Sequence, residues 1–155
     1  MNSETRTLYL IRLVDYSVRV ALDRALREVD STIVQYTLFS ILRGNANVYS
    51  SADIARRLQI TPQAANELIM SAEGKGLIAR RPNPENARTR LIRLSSKGQR
   101  TLDLLDHHVD RVEREVLAAL TPKELKVFRH TLDRLINNNQ EQPKGLTSSL
   151  TARSD

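Results

Sequence analysis

A mainly α-helical fold of the α+β class, with one small two-stranded hairpin, is what this 155-residue sequence predicts, and three observations carry it. Apolar residues recur at helical spacing over the first thirty residues and again after Ser95. Two short helical segments are separated by the break "LQITPQ". Two alternating stretches rich in arginine flank "PNPENA", whose Pro and Asn favour a loop.

The first helix is expected over Thr5 to Val29, with Leu8, Ile11, Val14, Val18, Leu22, Ala25 and Val29 on one strip and Leu10, Leu13 and Val20 on a second. A helix apolar on two sides needs cover on both, and a partner subunit could supply the second. The next helix opens at "TIVQ", where Thr32 caps and Gln35 can close a capping box, and Gly44 marks its end. In "SSAD", Ser50 caps a short helix carrying Ile54, Ala55 and Leu58; Thr61 then caps another that starts at Pro62. This spacing is a helix-turn-helix. Its second helix should bury Ala65, Leu68, Ile69 and Ala72 and turn Gln63, Asn66, Glu67 and Met70 outward, ending at Gly76 of "KGL".

Leu77–Arg81 and Thr89–Leu94 then alternate as the two strands of the hairpin. A long helix after Ser95 carries Leu102, Leu105, Val109, Val112, Val116 and Ala119, too few heptads for a coiled coil and better suited to a bundle. "TPKE" starts the last helix, with Thr121 as cap, Pro122 at its first position and Glu124 closing a box; Leu125, Phe128, Leu132 and Leu135 should form its inner face. "INNNQEQPKGLTSSLTARSD" has few large apolar residues and no period, so 139–155 is expected to be a disordered tail.

Composition narrows the function. With 40% hydrophobic residues the chain can build a core, and a net charge of +6 favours a polyanionic partner. Cysteine is absent, which excludes disulfides and thiolate metal sites. "MNSETRTLYLIRLVDY" lacks the apolar core of a signal peptide, and no run approaches the ~20 apolar residues of a membrane span; a soluble, cytoplasmic protein with no membrane partner is expected. No nucleophile elbow or phosphate loop occurs, and His107, His108 and His130 lie in no catalytic or zinc pattern. His107 and Asp110 are one helical turn apart, a spacing common by chance. The chain therefore reads as no enzyme, with no catalytic residue, no metal and no cofactor.

The order of these elements is that of a winged helix-turn-helix with a helical dimerisation domain built from N- and C-terminal helices. In "STIVQYTLFSIL", "SSADIARRLQITPQAANELI" and "KGLIARRPNPENARTRLIRLSSKG" the sequence resembles the MarR family of bacterial transcription regulators. The resemblance spans roughly Leu8 to Asn137. Its most specific part is the hairpin, where that family places Asp-x-Arg at the tip and Leu-Thr-x-x-Gly after the second strand. Here these positions hold Asn86, Ala87 and Arg88, then Leu94, Ser95 and Gly98. Two departures stand out: Asn86 replaces the acid, and Glu67 stands where many members carry an arginine.

The resemblance implies a homodimer divided into a dimerisation helix (1–31), a DNA-binding domain (32–95) and further dimerisation helices (96–138). It implies a double-stranded, palindromic, A·T-rich operator and repression of nearby genes. Arg88 falls where the family inserts an arginine into the minor groove. Electrostatics agrees, because a hairpin too small for its own core gains nothing from a row of arginines unless a phosphate backbone or narrow groove lies beside it. A solvated hairpin is the bland alternative. Gln63 and Asn66 can each make a bidentate contact with adenine, and Glu67 could accept from a cytosine amino group. Arg57 and Lys75 are candidate phosphate contacts or merely solvated cations. Ser51, Thr61, Arg81 and Arg90 complete the expected DNA-binding set.

Many MarR-like proteins release DNA when a small aromatic or phenolic acid enters a cleft beside the dimerisation helices. Arg12, Tyr16, Tyr36 and His107, or the neighbouring His108, are the candidate ligand-binding residues, since arginine beside aromatic rings suits an aromatic anion. Core or interface duty is the other role open to the two tyrosines. A rival function is a helical dimer with degenerate DNA recognition that binds a protein partner, which Glu67 and Asn86 would suit.

Overall fold

A computed structural model describes residues 5–44, 49–84, 86 and 90–140. Helix α1 (Thr7–Arg27) is followed by α2 (Ile33–Gly44), α3 (Ser51–Leu58), α4 (Pro62–Gly74), strands β1 (Ile78–Pro82) and β2 (Arg90–Leu94), α5 (Ser96–Val116) and α6 (Pro122–Gln140). Two compact units result, one reaching Glu115 and one beginning at Val116. Among the described residues no helix is long and apolar enough to cross a membrane.

Local chemistry sets most boundaries. α1 stops two residues short of its expected end, where Asp30 takes φ 52 and Ser31 N–H returns to the Leu26 carbonyl at 2.9 Å. Ser50 caps α3 through a reciprocal box with Asp53, and Thr61 accepts from Ala64 N–H at 3.1 Å ahead of Pro62. Thr32 Oγ1 accepts from Gln35 N–H at 3.2 Å, the first half of the expected box. β1 and β2 pair antiparallel, from Ile78 opposite Leu94 to Pro82 opposite Arg90. One element escaped the sequence pattern: Tyr49 bridges Ile92, whose N–H donates to its carbonyl at 3.0 Å.

The core of the first unit joins every element before its end. Leu26 of α1, Leu38, Phe39 and Leu42 of α2, Ile54 of α3, Ile69 of α4, Ile92 of β2, and Leu102 and Leu105 of α5 are fully buried. Each such side chain stabilises the fold by about 1.5–3 kcal/mol. Gly98 seats α5 beneath the hairpin. A Cβ there would lie 1.9 Å from the Leu77 carbonyl oxygen, so only glycine permits the approach.

Three expectations need correction. Among the described residues most apolar positions of α1 stay uncovered: Leu8 is 80% exposed, and Ile11, Leu13, Val14 and Val20 are also exposed, with Leu10 and Val18 half-buried and full burial reached only at Ala25 and Leu26. α6 exposes Phe128, Leu132 and Leu135 of its expected inner face; Leu125 is half-buried, and the Thr121–Glu124 capping box forms. α6 also extends through Asn139 and Gln140, into the segment expected to be disordered; 141–155 lie outside the described residues.

Candidate nucleic-acid interface

The turn between α3 and α4 aims the outer face of α4. α3 is capped by Gln59, whose left-handed backbone (φ 54) reverses the chain, and Ile60 N–H bonds the Ala55 carbonyl at 3.1 Å. Ala65, Ile69 and Ala72 then anchor α4 in the core, with Leu68 half-buried. The helical period consequently leaves Gln63, Asn66, Glu67 and Met70 exposed. Gln63 Nε2 donates to Glu67 Oε1 at 3.0 Å, coupling two side chains that the sequence treated separately. Thr61 is exposed, with its hydroxyl oxygen occupied as cap, and Ser51 is half-buried at the start of α3.

Cations lie around α4 but not on it. α4 contains no Lys or Arg. Arg57 of α3 is exposed and stacks over the Tyr49 ring, 4.6 Å from its centroid. Arg56 is paired with Asp53. Lys75 is exposed just past α4, where its carbonyl accepts from Lys97 Nζ at 2.8 Å.

The hairpin arginines divide into different environments. Arg80 Nε is 2.9 Å from Glu73 Oε2, so this arginine braces β1 to α4. Arg81 is half-buried, and its Nε is shielded from solvent. Arg90 and Arg93 are exposed on β2. Asn86 is exposed, and its N–H reaches the Asn83 carbonyl at 3.3 Å. Arg88 lies outside the described residues.

The ligand candidates occupy separate surroundings. Arg12 and Tyr16 are exposed one turn apart on α1, and Tyr16 lines a groove along that helix with Val20, Arg24 and Arg27. Arg24 and Arg27 were not singled out from the sequence, although their i, i+3 spacing places them on one side of α1. Tyr36 is half-buried and donates its O–H to Asp106 at 3.2 Å, within a cluster in which Arg43 pairs with both Asp103 and Asp106. Burial, more than the neighbouring carboxylate, raises the Tyr36 pKa above the ordinary phenol value. His107 is exposed; His108 Nδ1 lies 3.6 Å from Glu28, which Arg111 also engages at 2.7 Å. No hydrogen bond or ion pair among the described residues joins Arg12, Tyr16, Tyr36 and His107 to one another.

Comparison with known proteins finds similarity at the level of family and fold. A family model described as MarR family matches residues 30–89. The uncharacterized HTH-type transcriptional regulator YdgJ of Bacillus subtilis is 25% identical, covering 88% of this chain and 81% of its own length. The HTH-type transcriptional repressor Rv2887 of Mycobacterium tuberculosis is 27% identical, covering 82% and 91%. A structure of Rv2887 in complex with salicylic acid aligns with TM-score 0.70 at 25% identity, covering 87% of this chain and 99% of that one. Wild-type MarR from E. coli aligns with TM-score 0.76 at 21% identity, covering 87% and 99%. A mutant MarR complexed with operator DNA gives 0.71 at 22%, covering 83% and 91%.

Proposed function

We propose, on the premise that this chain belongs to the MarR family, that it is a transcriptional repressor that binds duplex DNA as a homodimer and lets go when a small aromatic anion binds. The observation that carries the proposal is the outer face of α4. Its opposite face is sealed in the core, yet Gln63, Asn66, Glu67 and Met70 are exposed among the described residues, and exposed cations lie on α3, just past α4 and on β2. A row of hydrogen-bonding side chains on α4, with the exposed cations Arg57, Lys75, Arg90 and Arg93 on α3, past α4 and on β2, supports contacts to base edges together with contacts to phosphates. Ser51, Thr61 and Arg81 belong to the same proposed surface, and Arg88, outside the described residues, is the proposed minor-groove residue. The operator is palindromic because the dimer is two-fold symmetric, and A·T-rich where the hairpin enters a narrow minor groove.

The dimer would cover the apolar rows of α1 and α6, so that 1–31 and 96–138 serve association and 32–95 serves DNA. Leu8, Ile11 and Val14 on one helix and Val127, Leu135 and Ile136 on the other are exposed in the single chain. Such rows mark interaction surfaces in soluble proteins. For the ligand, Arg12 and Tyr16 supply a cation and a ring one turn apart, and Tyr36 and His107 add two further groups. The salicylic acid complex of Rv2887 supports an aromatic anion as the ligand class. A ligand of this kind acts by binding the DNA-free pose more tightly than the DNA-bound one.

Fluorescence anisotropy with the duplex upstream of the chain's own gene tests the proposal. Arg88→Ala and Arg90→Ala should each weaken binding and reduce the salt slope by about 1. Affinity and slope equal to wild type in both variants would remove the hairpin from the mechanism.

A further inference from the structure

Charge on α4 is distributed in a way that general phosphate attraction does not explain. The helix has no cation and two acids, Glu67 and Glu73. Glu73 is neutralised by Arg80 at 2.9 Å. Glu67 meets no cation among the described residues; its partner is the Gln63 amide, at 3.0 Å. It sits in the middle of the exposed face, one turn from Gln63 on one side and one turn from Met70, itself 64% exposed, on the other. A carboxylate with no cation beside it, at the centre of a surface that approaches a polyanion, costs affinity wherever it faces a phosphate. It gains only against a donor on a base edge.

We infer that Glu67 is a specificity residue whose carboxylate accepts a hydrogen bond from the exocyclic amino group of cytosine, so that each half-site carries a C·G pair opposite the second turn of α4. This rests on the DNA-binding function proposed above. In the major groove, guanine and thymine present acceptors at O6, N7 and O4, all of which repel a carboxylate. Adenine offers a donor at N6, but its N7 acceptor lies alongside. Cytosine N4 is the one amino group without an adjacent acceptor on its own base. The Gln63 bond holds Glu67 Oε1 and leaves Oε2 to meet that donor. Met70, one turn further on, is placed for apolar contact with a thymine methyl.

Selection of the full-length chain against a random duplex DNA library, for wild type, Glu67→Gln and Glu67→Ala, tests this assignment. Wild type should enrich a half-site with a fixed C·G column. Glu67→Gln should change that column toward adenine, which a glutamine can bond at both N6 and N7, and Glu67→Ala should lose preference there while keeping the remaining columns. In anisotropy, C·G to T·A at that column should weaken wild type by about 10- to 100-fold and Glu67→Ala by about twofold or less. The same column retained by all three proteins overturns the inference and leaves DNA binding intact. Enrichment of no sequence by the wild type overturns the DNA-binding function itself.

Discussion

Replacing Gly98 by alanine probes the join that holds the hairpin against α5. The added methyl carbon would stand 1.9 Å from the Leu77 carbonyl oxygen, 2.9 Å from its carbon and 3.1 Å from Leu94 Cδ2. Carbon atoms rest at roughly 3.5–4.0 Å from one another, so backbone must move by an ångström or more. The Leu77 carbonyl cannot swing away freely. It accepts from Ser95 N–H at 3.0 Å, while Leu77 N–H is held by the Ala72 carbonyl at 2.9 Å. Ser95 Oγ adds a further tie, donating to the Gly76 carbonyl at 2.6 Å and accepting from Gly98 N–H at 3.0 Å. Overpacking of this sort costs about 1–3 kcal/mol, and loss of one backbone hydrogen bond adds about 1 kcal/mol. Alanine returns up to about 1 kcal/mol through helix propensity, less in a first turn. The net expectation is a loss of about 1–4 kcal/mol, or roughly 2–16 °C in Tm for a chain of this size. Thermal and urea unfolding followed by far-UV circular dichroism would measure it, with the urea midpoint falling at unchanged slope. A Tm equal to wild type, or raised as helix propensity alone would give, refutes the packing argument.

Two further outcomes follow from the same geometry. The Asp53 carboxyl is held below the ordinary aspartate range, first by its hydrogen bond from the Ser50 hydroxyl. A depressed carboxyl pKa stabilises the fold fully above the ordinary range, and that contribution is lost as pH falls through the lowered value. Ser50→Ala should therefore cost about 1 kcal/mol near neutral pH and progressively less in acid, read from urea midpoints at both; an equal cost at both pH values refutes the linkage. For the proposed dimer, light scattering at micromolar concentration should give twice the chain mass, and Leu8→Glu with Val14→Glu should give a folded monomer. A wild-type monomer would refute the dimer, which otherwise sets the two α4 helices about one DNA turn, ~34 Å, apart.

What could be read directly from the chain were features decided within one or two turns. Ser50, Thr61 and Thr121 announce helix starts because each cap bonds a backbone group three residues on. The outward set Gln63, Asn66, Glu67 and Met70 follows from helical period alone once Ala65, Ile69 and Ala72 are taken as core. The tertiary structure decided which polar groups remain available. Arg80 and Arg90 look equivalent in the sequence, yet Arg80 is paired with Glu73 and Arg90 is exposed, because the approach of α4 places Glu73 beside β1. Tyr36 meets Asp106 across 70 residues, and Arg111 meets Glu28 across 83. Periodicity and capping report on bonds between chain neighbours, whereas these pairs form only when folding brings distant segments within about 3 Å, the range of a hydrogen bond.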